Sequence, residues 1–405
     1  MAINEIGQNS QRNEGNNGHS GYTAVEEHDL GEPRPLRIVT IGAGAGGLNM
    51  ARHLELYMKN IEHIIYEKNA DVGGTWFENR YPGCACDIPS HNYQFTWEPN
   101  PEWNHFYSPA PEILGYFRKV ATKYELYRYI KLNQKIVGAT WDEDRGIYNL
   151  EIENVESGEK SNDWCHFLIN GSGVLNNCKW PNILGLQSFK GELVHSAAWD
   201  EKVSTKGKTV AVLGCGSSGV QTVPTILPDV KELITFIRTP TWITAGFAQS
   251  KAGPNGSNFN FTDEQKQEFR TDPEAYLQYR KEVENELNKR FKFIIRDSEE
   301  QEEAKRFSTH EMTTKLAAKK SLVEYIVPDF AVGCRSPTPG NGYLEALTDP
   351  KVRVVTDEIS EIVPEGIKLV TGEVIEVDTF ICATGFDMFR PNREPYWFMN
   401  WPAQP

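Results

Sequence analysis

The chain has 405 residues, with 42 Lys plus Arg against 56 Asp plus Glu and a net charge of −14, the wrong sign for neutralising nucleic-acid phosphates or docking on an anionic membrane. Hydrophobic residues make up 39% and include ten Trp, enough for an interior spread over two or so domains, which excludes both a single small module and a wholly disordered chain. No apolar run approaches the ~18 residues of a membrane-spanning helix, and the seven Cys (84, 86, 165, 178, 215, 334 and 382) show neither CxxC nor metal-ligand spacing, so a soluble protein of a reducing, cytoplasmic compartment with no metal is expected.

Residues 1–34 have no apolar core and almost no periodicity, and are expected to form a disordered tail rather than a signal peptide. Order is predicted to begin at PLRIVTIGAGAGGLNMARHLELYM, a short β-rich run that meets glycines and then a helical pattern, with IEHIIYEK as the next strand. Residues 131–171 read as strand-rich, and KTVAVLGCGSSGVQTVPTIL with ELITFIRT repeats the strand, glycine loop, helix and strand of the first unit. A charge-dense helical insertion is predicted over about 260–330, and short strands return from Val352 to DTFICATG. The implied fold is α/β with two Rossmann-like dinucleotide-binding domains: 35–173 for the first part of one, 174–378 for the second with its insertion, and 379–405 for the return to the first.

Gly42, Gly44 and Gly47 follow a strand and open a helix, the context in which such a loop cradles a pyrophosphate. Glu67 ends the second strand about twenty residues on, where a carboxylate accepts the hydroxyls of an unphosphorylated ribose. Gly214, Gly216, Ser217, Ser218 and Gly219 repeat the pattern, but the matching strand ends in Arg238-Thr239. An Arg there can bind a ribose 2′-phosphate, the lesser alternative being an ordinary surface residue, since Arg is common on surfaces. The first loop is therefore expected to take FAD and the second NADPH.

Two further stretches are more specific. FKGELVHSAAWD, from Phe189 through His195 and Trp199 to Asp200, resembles the FxGxxxHxxxW(P/D) fingerprint of Baeyer–Villiger monooxygenases, and GGTWFENRYPGCACD, with Gly74, Thr75, Trp76 and Asp87, resembles their GGxWxxxxYPGxxxD signature. The resemblance runs from about Leu36 to Asp387 and is closest in flavour to fungal members that act on ketones in secondary metabolism. It implies FAD and NADPH as cofactors, a small-molecule ketone and O2 as substrates, and an ester or lactone as product. It also implies that Asp87 lies near the flavin and pairs with an active-site Arg, and that His195 and Trp199 coordinate nicotinamide, flavin and domain movement. Without the family, a lone His is more often a satisfied structural residue. Asn170-Gly171-Ser172-Gly173 and Ala383-Thr384-Gly385 match the outgoing and returning crossings between the two domains.

Two departures stand out. Family members carry two basic residues before a helix like GYLEAL, and this chain has Gly333-Cys334-Arg335-Ser336-Pro337. Either Arg335 is the NADPH phosphate clamp and Ser336 stands where the catalytic Arg belongs, or the loop shifts by one and Arg335 serves both roles. Family chains also continue well beyond ATG, so a C-terminally truncated form is expected. The alternatives are a heteroatom-oxidising flavin monooxygenase, which shows Tyr or Phe where this chain has Trp199-Asp200, and a catalytically impaired truncated paralogue. A flavin disulfide reductase is disfavoured because Cys84 and Cys86 are separated by a single residue.

Overall fold

The computed structural model of the protein describes residues 32–334 and 338–387. Most of the predicted 1–34 tail and the aromatic stretch from residue 388 lie outside the described residues.

β1 (Leu36–Ile41) buries its last four residues, as suits a β-branched run covered on both faces of a parallel sheet. The chain passes through the first glycine loop into α1 (Ala45–Tyr57), and β2 (Ile61–Tyr66) returns parallel to β1. A single turn, α2 (Thr75–Glu78), precedes α3 (Ala110–Lys123). Ala110, Ile113, Phe117 and Val120 fall on one stripe of α3 and are buried. β3 (Ile130–Lys131) pairs with β2, after which β4 (Gln134–Asp142), β5 (Ile147–Asn154) and β6 (Lys160–Cys165) form an antiparallel meander. β7 (Phe167–Asn170) completes a parallel sheet of order β3-β2-β1-β7. The meander packs Ile136, Leu150 and Ile152 onto Val39, Ile64 and Tyr66 of that sheet.

The second unit starts at β8 (Glu192–His195) and repeats the motif with β9 (Thr209–Leu213), α4 (Ser217–Ile226) and β10 (Glu232–Phe236). β11 (Ile243–Thr244) leads into α5 (Asp263–Thr271), α6 (Pro273–Lys289), α7 (Glu299–Lys315) and α8 (Val323–Ile326). β12 (Thr338–Pro339) pairs with β11, and α9 (Tyr343–Thr348) leads to β13 (Val352–Val355). β14 (Ile359–Val363), β15 (Gly366–Leu369) and β16 (Val374–Glu376) make a small antiparallel sheet before β17 (Thr379–Cys382). The second parallel sheet has the order β13-β10-β9-β17-β8.

Two boundaries implied by the sequence pattern change. β17 is an inner strand of the second sheet, bonded to β9 on one side and β8 on the other, so residues 379–382 belong to the second unit rather than to the expected return from residue 379. The helical insertion also divides between the two units. Phe261, Phe269, Tyr276 and Val283 join the first core with Leu48, Ile65, Trp103 and Phe106, whereas Met312, Leu316 and Ile326 join the second. An aromatic box causes this division. The His91 ring is surrounded by Phe261, Phe269, Tyr276 and Tyr279 with centroids 4.7–5.5 Å away, and its Nδ1 lies 2.8 Å from the Tyr276 hydroxyl. Burial lowers the His91 pKa to about 3, so the ring is neutral and packs as an aromatic.

Candidate dinucleotide sites and the junction between them

Gly42 has φ +93°, and a Cβ on Gly47 would stand 2.0 Å from the Gly42 carbonyl oxygen. Only glycine fits at either position. Gly44 caps α1 with no side chain to satisfy the first-turn amides, which leaves N–H groups and the positive end of the helix dipole for an anion. The turn of Gly73, Gly74, Thr75 and Trp76 crosses this loop: Gly73 N donates to Ala43 O at 3.1 Å, and a Cβ on Gly74 would lie 3.1 Å from Gly44 Cα. Glu67, only 3% exposed, accepts from the amides of Ala43 at 2.6 Å and Asn69 at 2.9 Å. Burial raises its pKa while the two amides act in the opposite direction. A cleft of about 810 Å³ opens over these groups, walled by Gly42, Gly44, Glu67, Gly74, Thr75 and Trp76, and closed on another side by Ala197 and Ala198.

The second loop repeats this geometry. Gly214 has φ +117°, and a Cβ on Gly219 would stand 2.1 Å from Gly214 O. Gly216 caps α4 with no side chain, and nothing lies within 4 Å of where its Cβ would be. Ser217 and Ser218 form the first turn of α4, and Ser196 Oγ donates to Ser218 Oγ at 3.1 Å. Arg238 is exposed just beyond β10, and Thr239 O accepts from Cys215 Sγ at 3.2 Å. Each loop rests on a crossing of the chain. A Cβ on Gly42 would meet Gly171 O at 2.9 Å, and one on Gly214 would meet Ala383 O at 2.5 Å.

Asp87 and Trp199 lie between the two loops. Neither is in the wall of the cleft. Asp87 Oδ1 accepts from Gln221 Nε2 at 3.2 Å, and burial raises its pKa to about 6 against the pull of that donor. Trp199 is buried in the second core together with Tyr81 and Cys84 of the Asp87 loop. His195 is 1% exposed and ties the returning crossing at Thr384 to the second sheet. Its Nδ1 accepts from Ala197 N at 3.1 Å, and its Nε2 lies 3.2 Å from Thr384 Oγ1, which donates to Lys179 O at 2.5 Å. With the Thr384 proton committed, His195 donates from Nε2 and is neutral, in keeping with a pKa lowered by burial. Trp180 stacks edge-on against the same ring at 5.2 Å. Arg335 and Ser336 lie outside the described residues.

The pattern of motifs does not reveal Gln221, which contacts Asp87, or Ala197 and Ala198, which close the cleft. A signal for Gln221 exists: it is a lone amide among the apolar residues of SSGVQTVPTI, four residues after Ser217. Among the described residues no helix is long and apolar enough to cross a membrane, and no group of three or more His, Cys, Asp or Glu is placed to hold a metal.

Two glycine-loop folds in series, joined through glycine-bearing crossings, define a two-domain protein of the flavin-monooxygenase type. A family profile described as an NAD(P)-binding Rossmann-like domain matches residues 40–110. The FAD-binding monooxygenase tazF of Aspergillus terreus is 42% identical over 358 residues, covering 88% of this chain and 63% of that protein. A Baeyer–Villiger monooxygenase of Pseudomonas aeruginosa is 32% identical over 90% of this chain and 68% of its own length. A crystal structure of cyclohexanone monooxygenase with ε-caprolactone superposes with a TM-score of 0.74 at 27% identity, covering 87% of this chain and 73% of that one. The chain belongs to the Baeyer–Villiger monooxygenase family. It spans a little under two thirds of the length of the Aspergillus relative.

Proposed function

We propose that this chain serves an FAD- and NADPH-dependent monooxygenation: one oxygen atom of O2 enters beside a ketone carbonyl to give an ester or lactone, the other leaves as water, and NADPH supplies the two electrons. The observation that carries this reading is the pair of matching glycine cradles with opposite charge at the ribose position, Glu67 in one and Arg238 in the other. The residues of the first cradle fit a flavin dinucleotide. Its amides are uncapped, its glycines leave the floor open, and a buried acid stands at the wall. Bound flavin supplies the hydride acceptance and dioxygen activation, and the protein supplies binding, orientation and electrostatics.

Within that reading, α1 holds the flavin pyrophosphate at its N-terminus and Glu67 accepts the ribose hydroxyls. Gly74, Thr75 and Trp76 cover the cofactor from the other side. The α4 N-terminus with Ser217 and Ser218 takes the NADPH pyrophosphate, and Arg238 with Thr239 takes the 2′-phosphate end. Asp87 holds a proton or a negative charge at the junction. By resemblance to family members, Arg335 is either the NADPH phosphate clamp or the cation that pairs with Asp87. His195 and Trp199 are positioning residues: His195 ties the returning crossing at Thr384 to the second sheet, and Trp199 packs the second core against Tyr81 and Cys84 of the Asp87 loop. The substrate class is a ketone, and similarity to a fungal relative favours a secondary metabolite. All seven cysteines are free, which supports a reducing, cytoplasmic setting.

The test is to desalt FAD-loaded protein and follow its visible flavin band, NADPH consumption and the product from a cyclic ketone. Retained flavin with lactone formation supports the reading. Loss of all flavin overturns it, and oxygenation of amines or sulfides alone would assign the chain to heteroatom chemistry. Arg238→Ala is expected to raise the Kd for NADPH roughly tenfold to a hundredfold by removing a charge-assisted phosphate contact, and to leave that for NADH unchanged. Fluorescence titration with the two nucleotides checks this, and equal weakening of both would remove Arg238 from the phosphate site.

A further inference from the structure

At the junction of the two units one side chain uses its full hydrogen-bonding capacity. Gln221 sits on α4, one turn after Ser217. Its Oε1 accepts from the Tyr81 hydroxyl at 2.8 Å and from Ala85 N at 3.4 Å, while its Nε2 donates to Ala85 O at 3.0 Å and to Asp87 Oδ1 at 3.2 Å. Gly83, in the same loop, presses on the helix itself: with φ +82°, its Cβ would fall 2.3 Å from Thr225 Oγ1 and 2.6 Å from Gln221 O. The loop carrying Asp87 is thus seated on the helix whose N-terminus forms the second cradle.

We propose that Gln221 is a positioning residue that couples nucleotide occupancy of the second cradle to the protonation state of Asp87. This rests on the reading of that cradle as the NADPH site. A helix is stiff along its axis, so a ligand held at Ser217 and Ser218 fixes where the Gln221 amide stands one turn away. An amide N–H can donate to an Asp87 carboxylate but gives no such support to the proton of the neutral acid, so fixing the amide favours the ionised form. By linkage the effect is reciprocal: nucleotide binding releases a proton from Asp87, and ionised Asp87 strengthens nucleotide binding. Among the described residues the groups facing Asp87 are uncharged. Gln221 is neutral, Tyr81 is pushed up by burial, and burial raises Cys84 to about 11 and Cys86 to about 12. Asp87 itself, raised to about 6, titrates where a single hydrogen bond shifts its occupancy. Among the described residues no cation contributes to that shift.

The experiment is calorimetric titration of FAD-loaded protein with NADP+ near pH 6 in two buffers of different ionisation enthalpy, which counts protons released on binding. Asp87→Asn sets the baseline, because it retains the proton exchange of the 2′-phosphate. The wild type should release more protons than this baseline, and Gln221→Met, which keeps length and volume, should fall to it while still binding NADP+. Gln221→Leu, which also lacks the amide donor and adds no titratable group, should likewise lose the wild-type excess, and serves if the Met variant does not fold. Release by either Gln221 variant equal to that of the wild type overturns the coupling. Wild-type protein that keeps its flavin but does not bind NADP+ overturns the nucleotide reading of the second cradle, and the coupling with it.

Discussion

Gly47→Ala is expected to strip the flavin from the protein. The new methyl would stand 2.0 Å from the Gly42 carbonyl oxygen, a backbone atom that cannot rotate away, so α1 would have to lift off β1. Overpacking of a rigid contact costs about 1–3 kcal/mol. At ~1.4 kcal/mol per tenfold, FAD should bind up to roughly a hundredfold more weakly, because the displaced α1 amides are those that face the phosphates. Gly219→Ala makes the same contact at 2.1 Å in the second loop, and should weaken NADPH to a similar degree while leaving the flavin in place. Absorbance after desalting and nucleotide titration separate the two effects. If Gly47→Ala keeps its full flavin complement, the first loop is not the flavin cradle.

Asp87→Asn should stabilise the chain against unfolding at pH 8. Burial raises the Asp87 pKa to about 6 from an ordinary value near 3.8, so in the folded state the group binds a proton that the unfolded chain has already released between those two pH values. Stability attributable to this group therefore falls as pH rises from about 4 to 6, and the penalty is complete above that window. With ~1.4 kcal/mol per pKa unit, removing the ionisable group should contribute on the order of 2–3 kcal/mol at pH 8 and nothing at pH 4. Thermal melts of both proteins across this range measure the difference. A gain independent of pH would mean that the carboxylate is not desolvated. Functional sites commonly carry such costs, since a charge held ready for chemistry is one that water has been made to leave.

The features legible in the sequence are those made by neighbours along the chain. Gly42, Gly44 and Gly47 with Glu67, and Gly214, Gly216 and Gly219 with Arg238, lie within single strand-loop-helix-strand units, so spacing alone carries their geometry. What the pattern misses depends on partners far away in sequence. The place of β17 is decided by its pairing with β9 and β8, and the run VDTFICATG is equally compatible with either sheet. The charged helices from residue 263 show which face is apolar but not which core receives it. The His91 box settles that for α5 and α6, and His91 lies in an unrelated turn near residue 90. Gln221 escapes for the same reason, because its four hydrogen bonds reach three residues of a loop about 140 positions earlier.

The division of the insertion has a mechanical consequence. Two bodies joined only at Gly171 and Ala383 could swing widely about the line between those points. Here the chain also leaves the second body to add α5 and α6 to the first, and returns to add α7 to the second, so two further covalent tethers span the boundary. Three non-glycine residues with left-handed backbone, Ala248, Asn255 and Asp297, lie on the extra pair of tethers, where the chain bends back on itself. Each added segment of fixed contour length limits how far its two anchors can move apart, so the extra pair narrows the range over which the two bodies can separate.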